Sequence, residues 1–185
     1  MNLLTQVYKD IVGWDVKWKL EKFRGDDAIA RELFLPGPEP FDVVSFDGNL
    51  LMYAGASNLW ECLKGNGTVT AAQSLTYFNN GNAYLGVGDS ATAAAATQTD
   101  LQAASNKLRK AMDATYPVHT DGTTSGSAPI DFKSTFATGD ANYAWEEVAT
   151  FNGSTGVRML NRKVQSLGTK TSAGTWVLTE TITLA

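Results

Sequence analysis

The sequence predicts an α+β fold that is mainly β, an antiparallel β-sandwich with one or two covering helices. Three observations predict it. The last third of the 185 residues reads as strands almost throughout, and its closing run alternates cleanly, the period of a strand with one buried face. Turn signals punctuate those runs at short intervals, as they do where antiparallel strands follow one another. Only two stretches carry the three- or four-residue apolar spacing of a helix.

Val12, Trp14, Val16, Trp18 and Leu20 alternate with Gly13, Asp15, Lys17 and Lys19 and predict a half-buried strand. Pro36, Pro38 and Pro40 flank Gly37 and Glu39. Proline fixes φ and removes ladder donors, so an extended Pro-rich arm or loop is expected at about 32–48. From Asn49, the residues Leu50, Leu51, Tyr53, Ala54, Leu59, Trp60 and Leu63 fall near helical spacing, with Asn49 placed to cap the start, Gly65 the end and Gly55 a weak point between. Ala83 to Val87 reads as a short strand and Ser90 to Thr99 as a surface connection of Ala, Thr and Ser. Leu101, Ala104, Leu108 and Met112 suggest an amphipathic helix over 99–112.

Pro117 to Pro129, with the single histidine His119, reads as a loop. Strands follow through Ile130, Phe132 and Phe136, then Trp145 to Phe151, then Val157 to Leu167, with Asn152-Gly153 as a turn between the last two. The closing run sets Trp176, Leu178, Ile182 and Leu184 on one face and Val177, Thr179, Thr181 and Thr183 on the other.

Hydrophobic residues make up 43% and charged residues 18%, so a packed core is expected, and the length suits a single domain over 1–185. A formal charge of −4 and a pI near 4.9 argue against nucleic acid as partner, because phosphate binding draws on Lys and Arg. Lys17, Lys19, Lys22 and Arg24 are interleaved with Asp15 and Glu21 and read as a solvated face. No membrane span or signal peptide is read, and a cytoplasmic site of synthesis is expected. One cysteine, Cys62, leaves no intrachain disulfide.

A search for chemistry gives no catalytic, cofactor-binding or metal residues. Cys62 and His119 lie in segments of different character, and a thiol beside Trp60 and Leu63 is expected to be buried and inert. Glu146 and Glu147 are adjacent on a strand and point to opposite faces. Glu180 shares the face of Trp176 and Leu178 and needs a buried partner, for which Arg158 or Arg162 is the expectation. Gly86-Val87-Gly88-Asp89-Ser90 lacks phosphate-loop spacing and reads as a turn. Arg24-Gly25-Asp26 is a chance triplet, and Asn66-Gly67-Thr68 and Asn152-Gly153-Ser154 match the glycosylation acceptor pattern but are equally turns. Leu33, Phe34, Leu35 and Phe41 in the Pro-rich arm need covering by the domain or by a partner, and they are the candidate partner contacts.

The order of several motifs carries a resemblance. Asn49-Leu50-Leu51 with Gly55 and Leu59-Trp60 comes first, then Ala83-Tyr84-Leu85-Gly86-Val87-Gly88-Asp89, then Thr97-Gln98-Thr99-Asp100-Leu101 with Arg109-Lys110. Phe132 to Phe136, Ala141-Asn142-Tyr143-Ala144-Trp145-Glu146-Glu147, Phe151-Asn152, Met159-Leu160-Asn161-Arg162-Lys163 and the Thr-rich final strand complete it. Over about residues 49–185 this order resembles structural proteins of tailed-phage virions. The part from Leu85 to Phe151 also looks like the amino-terminal attachment region of some phage tail fibres. The resemblance implies a particle component located in the virion and made in a host bacterium, with no reaction of its own.

Three functions follow from these readings. A capsid decoration or cement protein would bind the major capsid protein on the assembled shell, with self-association, a trimer among the arrangements allowed. A tail, baseplate or fibre-adaptor protein would bind other virion proteins. A carbohydrate-binding module would stack sugars on Trp14, Trp18, Trp60, Trp145 or Trp176, although four of these five fit core positions.

Overall fold

The computed structural model describes residues 13–65, 76–119, 129–156 and 158–184. Val12 and the Asn66-Gly67-Thr68 turn lie outside these. The element order is β1 (Trp14–Arg24), α1 (Asp27–Leu33), β2 (Asp42–Asp47), β3 (Leu50–Leu51), α2 (Tyr53–Lys64), β4 (Tyr84–Gly88), β5 (Lys107–Ala111), β6 (Val118–His119), β7 (Pro129–Phe136), β8 (Ala144–Phe151), β9 (Met159–Thr169) and β10 (Gly174–Leu184). The strands form two five-stranded sheets, β2-β1-β10-β7-β6 and β3-β9-β8-β4-β5, with every strand pair antiparallel. The architecture is the β-rich sandwich that the alternation predicts.

The inner faces of both sheets supply one core. Val16, Trp18 and Leu20 of β1 and Trp176, Leu178 and Ile182 of β10 meet Leu85, Val87, Trp145 and Val148 of the other sheet. Trp145 sits between Phe136 and Trp176, with ring centroids 4.7 and 4.8 Å away in edge-to-face geometry. Its indole N–H donates to the Ala141 carbonyl at 2.9 Å, so the polar end of this buried ring is satisfied. A second, smaller cluster lies on the far face of the second sheet, where Phe151, Ala149 and Met159 are covered by Met52 and Leu101.

Four local expectations are corrected. The 99–112 stretch is not a helix. Leu101 inserts into the second cluster, Ala103 is buried, and Lys107–Ala111 pairs with β4 as a strand. The periodic apolar residues belong to a segment that is irregular first and extended afterwards. The Pro-rich arm is shorter than 32–48, since Glu32 and Leu33 end α1 and Asp42–Asp47 pairs with β1, leaving 34–41 as the irregular connection. Its prolines end before the strand begins, so no ladder donor is lost.

Asn49 does not cap the helix. Leu50 and Leu51 first pair with β9, the helix starts after Met52, and the Asn49 side-chain oxygen accepts the Trp14 indole N–H at 3.2 Å. Gly65 ends it as expected, in the left-handed conformation. Gly86 and Gly88 lie within β4 rather than in a turn. A Cβ on Gly86 would come within 2.6 Å of the Phe151 ring, and one on Gly88 within 2.5 Å of a Glu147 carboxylate oxygen. Their spacing serves close packing.

Candidate interaction surface

The two helices are fastened to the sandwich in opposite ways. α1 lies on the outer face of the first sheet, where Ala28 joins Phe23 and Val177 in a small apolar cluster. Ion pairs border it: Arg31 reaches Glu21 at 2.9 Å, and Lys133 of β7 reaches Glu32 at 2.9 Å. Burial alone would push the Glu21 carboxyl upward, but its bonds to Arg31 and Lys19 outweigh this and hold it below the usual glutamate range.

Beyond α1 the chain turns outward. Leu33 is 71% exposed, Phe34 64%, Leu35 98% and Phe41 56%. The turn is tight at Gly37, where a Cβ would fall 2.4 Å from the Arg31 Cα, so the loop folds back on α1 instead of covering the core. Phe41 is held by its backbone N–H on the Lys22 carbonyl at 2.9 Å, with the Arg24 guanidinium 5.7 Å from its ring centroid. Beside it Phe41, Arg24 and Trp176 line an open cleft of about 370 Å³. Val43, 45% exposed, stands opposite Glu21 in register and extends the apolar corner along β2. All four sequence candidates are therefore turned to solvent.

α2 is fastened by polar groups. Its buried residues are Gly55, Asn58 and Glu61, and its exposed ones include Tyr53, Trp60 and Leu63. A Cβ on Gly55 would lie 2.3 Å from the Leu160 carbonyl oxygen, so only glycine lets the helix approach β9 this closely. Arg158, fully buried, donates to Glu61 at 2.7 Å. Asn152 donates to the Asn58 side-chain oxygen at 3.2 Å and to the Thr76 carbonyl at 3.0 Å, and accepts the Arg158 backbone N–H at 2.8 Å. With its amide spent in this way, Asn152 is a buried structural residue and not a glycan acceptor.

A second buried ion pair holds the 92–103 segment. Arg162 donates to Glu147 at 2.6 Å, to the Gln98 side-chain oxygen at 3.0 Å and to the Thr92 carbonyl at 2.8 Å. Glu147 also accepts the backbone N–H groups of Gln102 and Ala103. Both expected arginine partners of Glu180 are thus committed elsewhere, which corrects that expectation. Glu180 is bonded by the Thr150 hydroxyl and the Asn161 amide.

The remaining sequence candidates do not assemble into a reactive site. Cys62 is half-exposed rather than buried, its thiol pushed up by partial desolvation and by Glu61. Glu146 accepts the Ser166 hydroxyl near the surface while Glu147 is buried, at a point where the β8–β9 register shifts. Among the described residues no group of three or more His, Cys, Asp and Glu could hold a metal ion. Of the tryptophans, Trp18, Trp145 and Trp176 are core and Trp60 is 67% exposed. No family model, curated protein or solved structure matches the chain.

Proposed function

We propose that this chain is a structural protein of a tailed-phage particle, a capsid decoration or cement protein that docks on the major capsid protein of the assembled head through the corner formed by α1 and β2. The order of motifs over residues 49–185 supports the virion assignment. The observation that carries the docking surface is the consecutive run Leu33, Phe34 and Leu35, held out of the core by the turn at Gly37. Exposed apolar area is unfavourable at about 25 cal/mol per Å², and a contiguous patch marks a contact surface more often than scattered residues do. The buried ion pairs Arg158–Glu61 and Arg162–Glu147 tie a helix and a loop to the sheets, and the proposal assigns the chain no reaction.

On a lattice, each modest contact is repeated many times, and a protein that binds only the assembled shell stabilises it by mass action. Imaging of labelled intact particles tests the proposal. Label spread over the head supports decoration. Label at a single vertex or at the distal tail overturns it in favour of a tail, baseplate or fibre adaptor, the reading favoured by the fibre-like motif order between Leu85 and Phe151. Serine at Leu33, Phe34 and Leu35 is expected to weaken shell binding at least roughly tenfold while the chain stays folded.

A further inference from the structure

Glu180 sits on β10 between the two sheets with no exposed surface. Its neighbours in register are Trp18 of β1 and Phe132 of β7. Across the sandwich it meets Thr150 of β8 and Asn161 of β9. None of these four is charged or titratable. Of the charged side chains on the same strands, Arg162 and Glu147 bind each other, Lys19 and Glu21 pair together, Lys22 binds Asp42 and Lys133 binds Glu32. Lys163, two residues beyond Asn161, reaches towards Gly48.

One buried polar atom beside Glu180, the Asn161 side-chain oxygen, has no hydrogen-bond partner. An ionised carboxylate here would have two neutral donors and no counter-ion, a costly arrangement in a low-dielectric interior. A neutral carboxylic acid fits better. It offers one O–H, and an Asn161 amide turned by half a revolution would bring its unpaired oxygen round to accept it.

We propose that Glu180 is a proton-operated latch between the two sheets, closed while its carboxyl is neutral and loosened when it ionises. The latch acts on a strand that anchors much of the second sheet's cover. Asn161 is flanked by Leu160, against which Gly55 of α2 is packed, and by Arg162, which holds Thr92 and Gln98. Arg158, on the same side of the chain, holds α2 through Glu61. Ionisation therefore loosens α2 and the 92–103 segment before the first sheet with its apolar corner. The inference does not depend on what that corner binds.

Burial raises the Glu180 carboxyl from an ordinary 4.5 to about 7, its two hydrogen bonds offsetting only part of the effect. Because the folded value lies above the unfolded one, the contribution to stability is fully present below about 4.5. It is lost as pH rises through about 7 and is constant above that.

The test is urea unfolding of the wild-type chain and the Glu180→Gln variant at steps from about pH 4.5 to about pH 8. The wild-type midpoint should fall up to about pH 7 and then level, and the variant should lack that fall. Equal slopes in the two chains would overturn the proposal. Should the variant not fold, carbon NMR of the Glu180 carboxyl in the wild-type chain decides. A titration midpoint near 7 supports the latch, and one near the ordinary glutamate value removes it. Amide exchange at pH 8 reads the coupling. Faster exchange in α2 and 92–103 of the wild type than of the variant is expected, and equal exchange there would sink the coupling.

Discussion

α1 and α2 both cover sheet, yet the first buries alanine against Phe23 and Val177 and the second buries Gly55, Asn58 and Glu61. The difference teaches that an apolar stripe on a helix does not by itself say which side faces the protein. In α2 a backbone contact and a buried ion pair join Leu59, which packs against the core, while Tyr53, Trp60 and Leu63 are left outside. α1 depends on a small hydrophobic contact with ion pairs at its borders, of which Glu32 is 61% exposed. Such border pairs contribute little.

The sharpest way to break this contrast is Arg158→Ala. It would leave Glu61 buried beside its lost partner and should cost about 3–5 kcal/mol, measured by chemical denaturation. Gly55→Ala comes next, at about 1–3 kcal/mol, because the helix must move off Leu160; amide exchange should show the damage concentrated in α2 and β9. Arg31→Ala in α1 should cost no more than about 1 kcal/mol. A loss as large as that of Arg158→Ala would erase the distinction between the two helices.

Acid sharpens the contrast further. The Glu21 carboxyl is held low in the folded chain, so its contribution is present above the unfolded value and is lost as pH falls through the folded one. Mild acid below about pH 4 should therefore loosen the α1 tie, seen as faster exchange in 27–33. The smallest effect is expected for Leu35→Ser. With Leu35 98% exposed, thermal stability should change by under about 0.5 kcal/mol.

Much of the fold was legible because its strands alternate. The inward set of β10 and the core positions of β1 follow from period two alone. The candidate corner was legible for a related reason: Leu33, Phe34 and Leu35 are consecutive and lie just before Pro36, so no regular element can bury all three. What was not legible depends on distant partners. The segment 99–106 has helical apolar spacing, but Glu147, more than forty residues away, takes the backbone N–H groups of Gln102 and Ala103. Nothing local to the segment signals that acceptor.

The orientation of α2 was hidden for the same reason, since its glycine and glutamate meet Leu160 and Arg158. The partner of Glu180 was misjudged because charge was matched to charge. A β-bulge between Thr150 and Phe151 shifts the β8–β9 register there, and the glutamate meets an asparagine on β9.

The pairing of β1 with β10 runs over eleven residue pairs, from Trp14 with Leu184 to Arg24 with Gly174. Contacts of that sequence separation form late and slow the folding of β-rich chains. During synthesis β1 therefore waits, with its central edge unpaired, until β10 has left the ribosome. In that interval Val16, Trp18 and Leu20 are open to wrong partners, and Lys17 and Lys19, alternating between them along the strand, place positive charge where strands of neighbouring nascent chains would otherwise join.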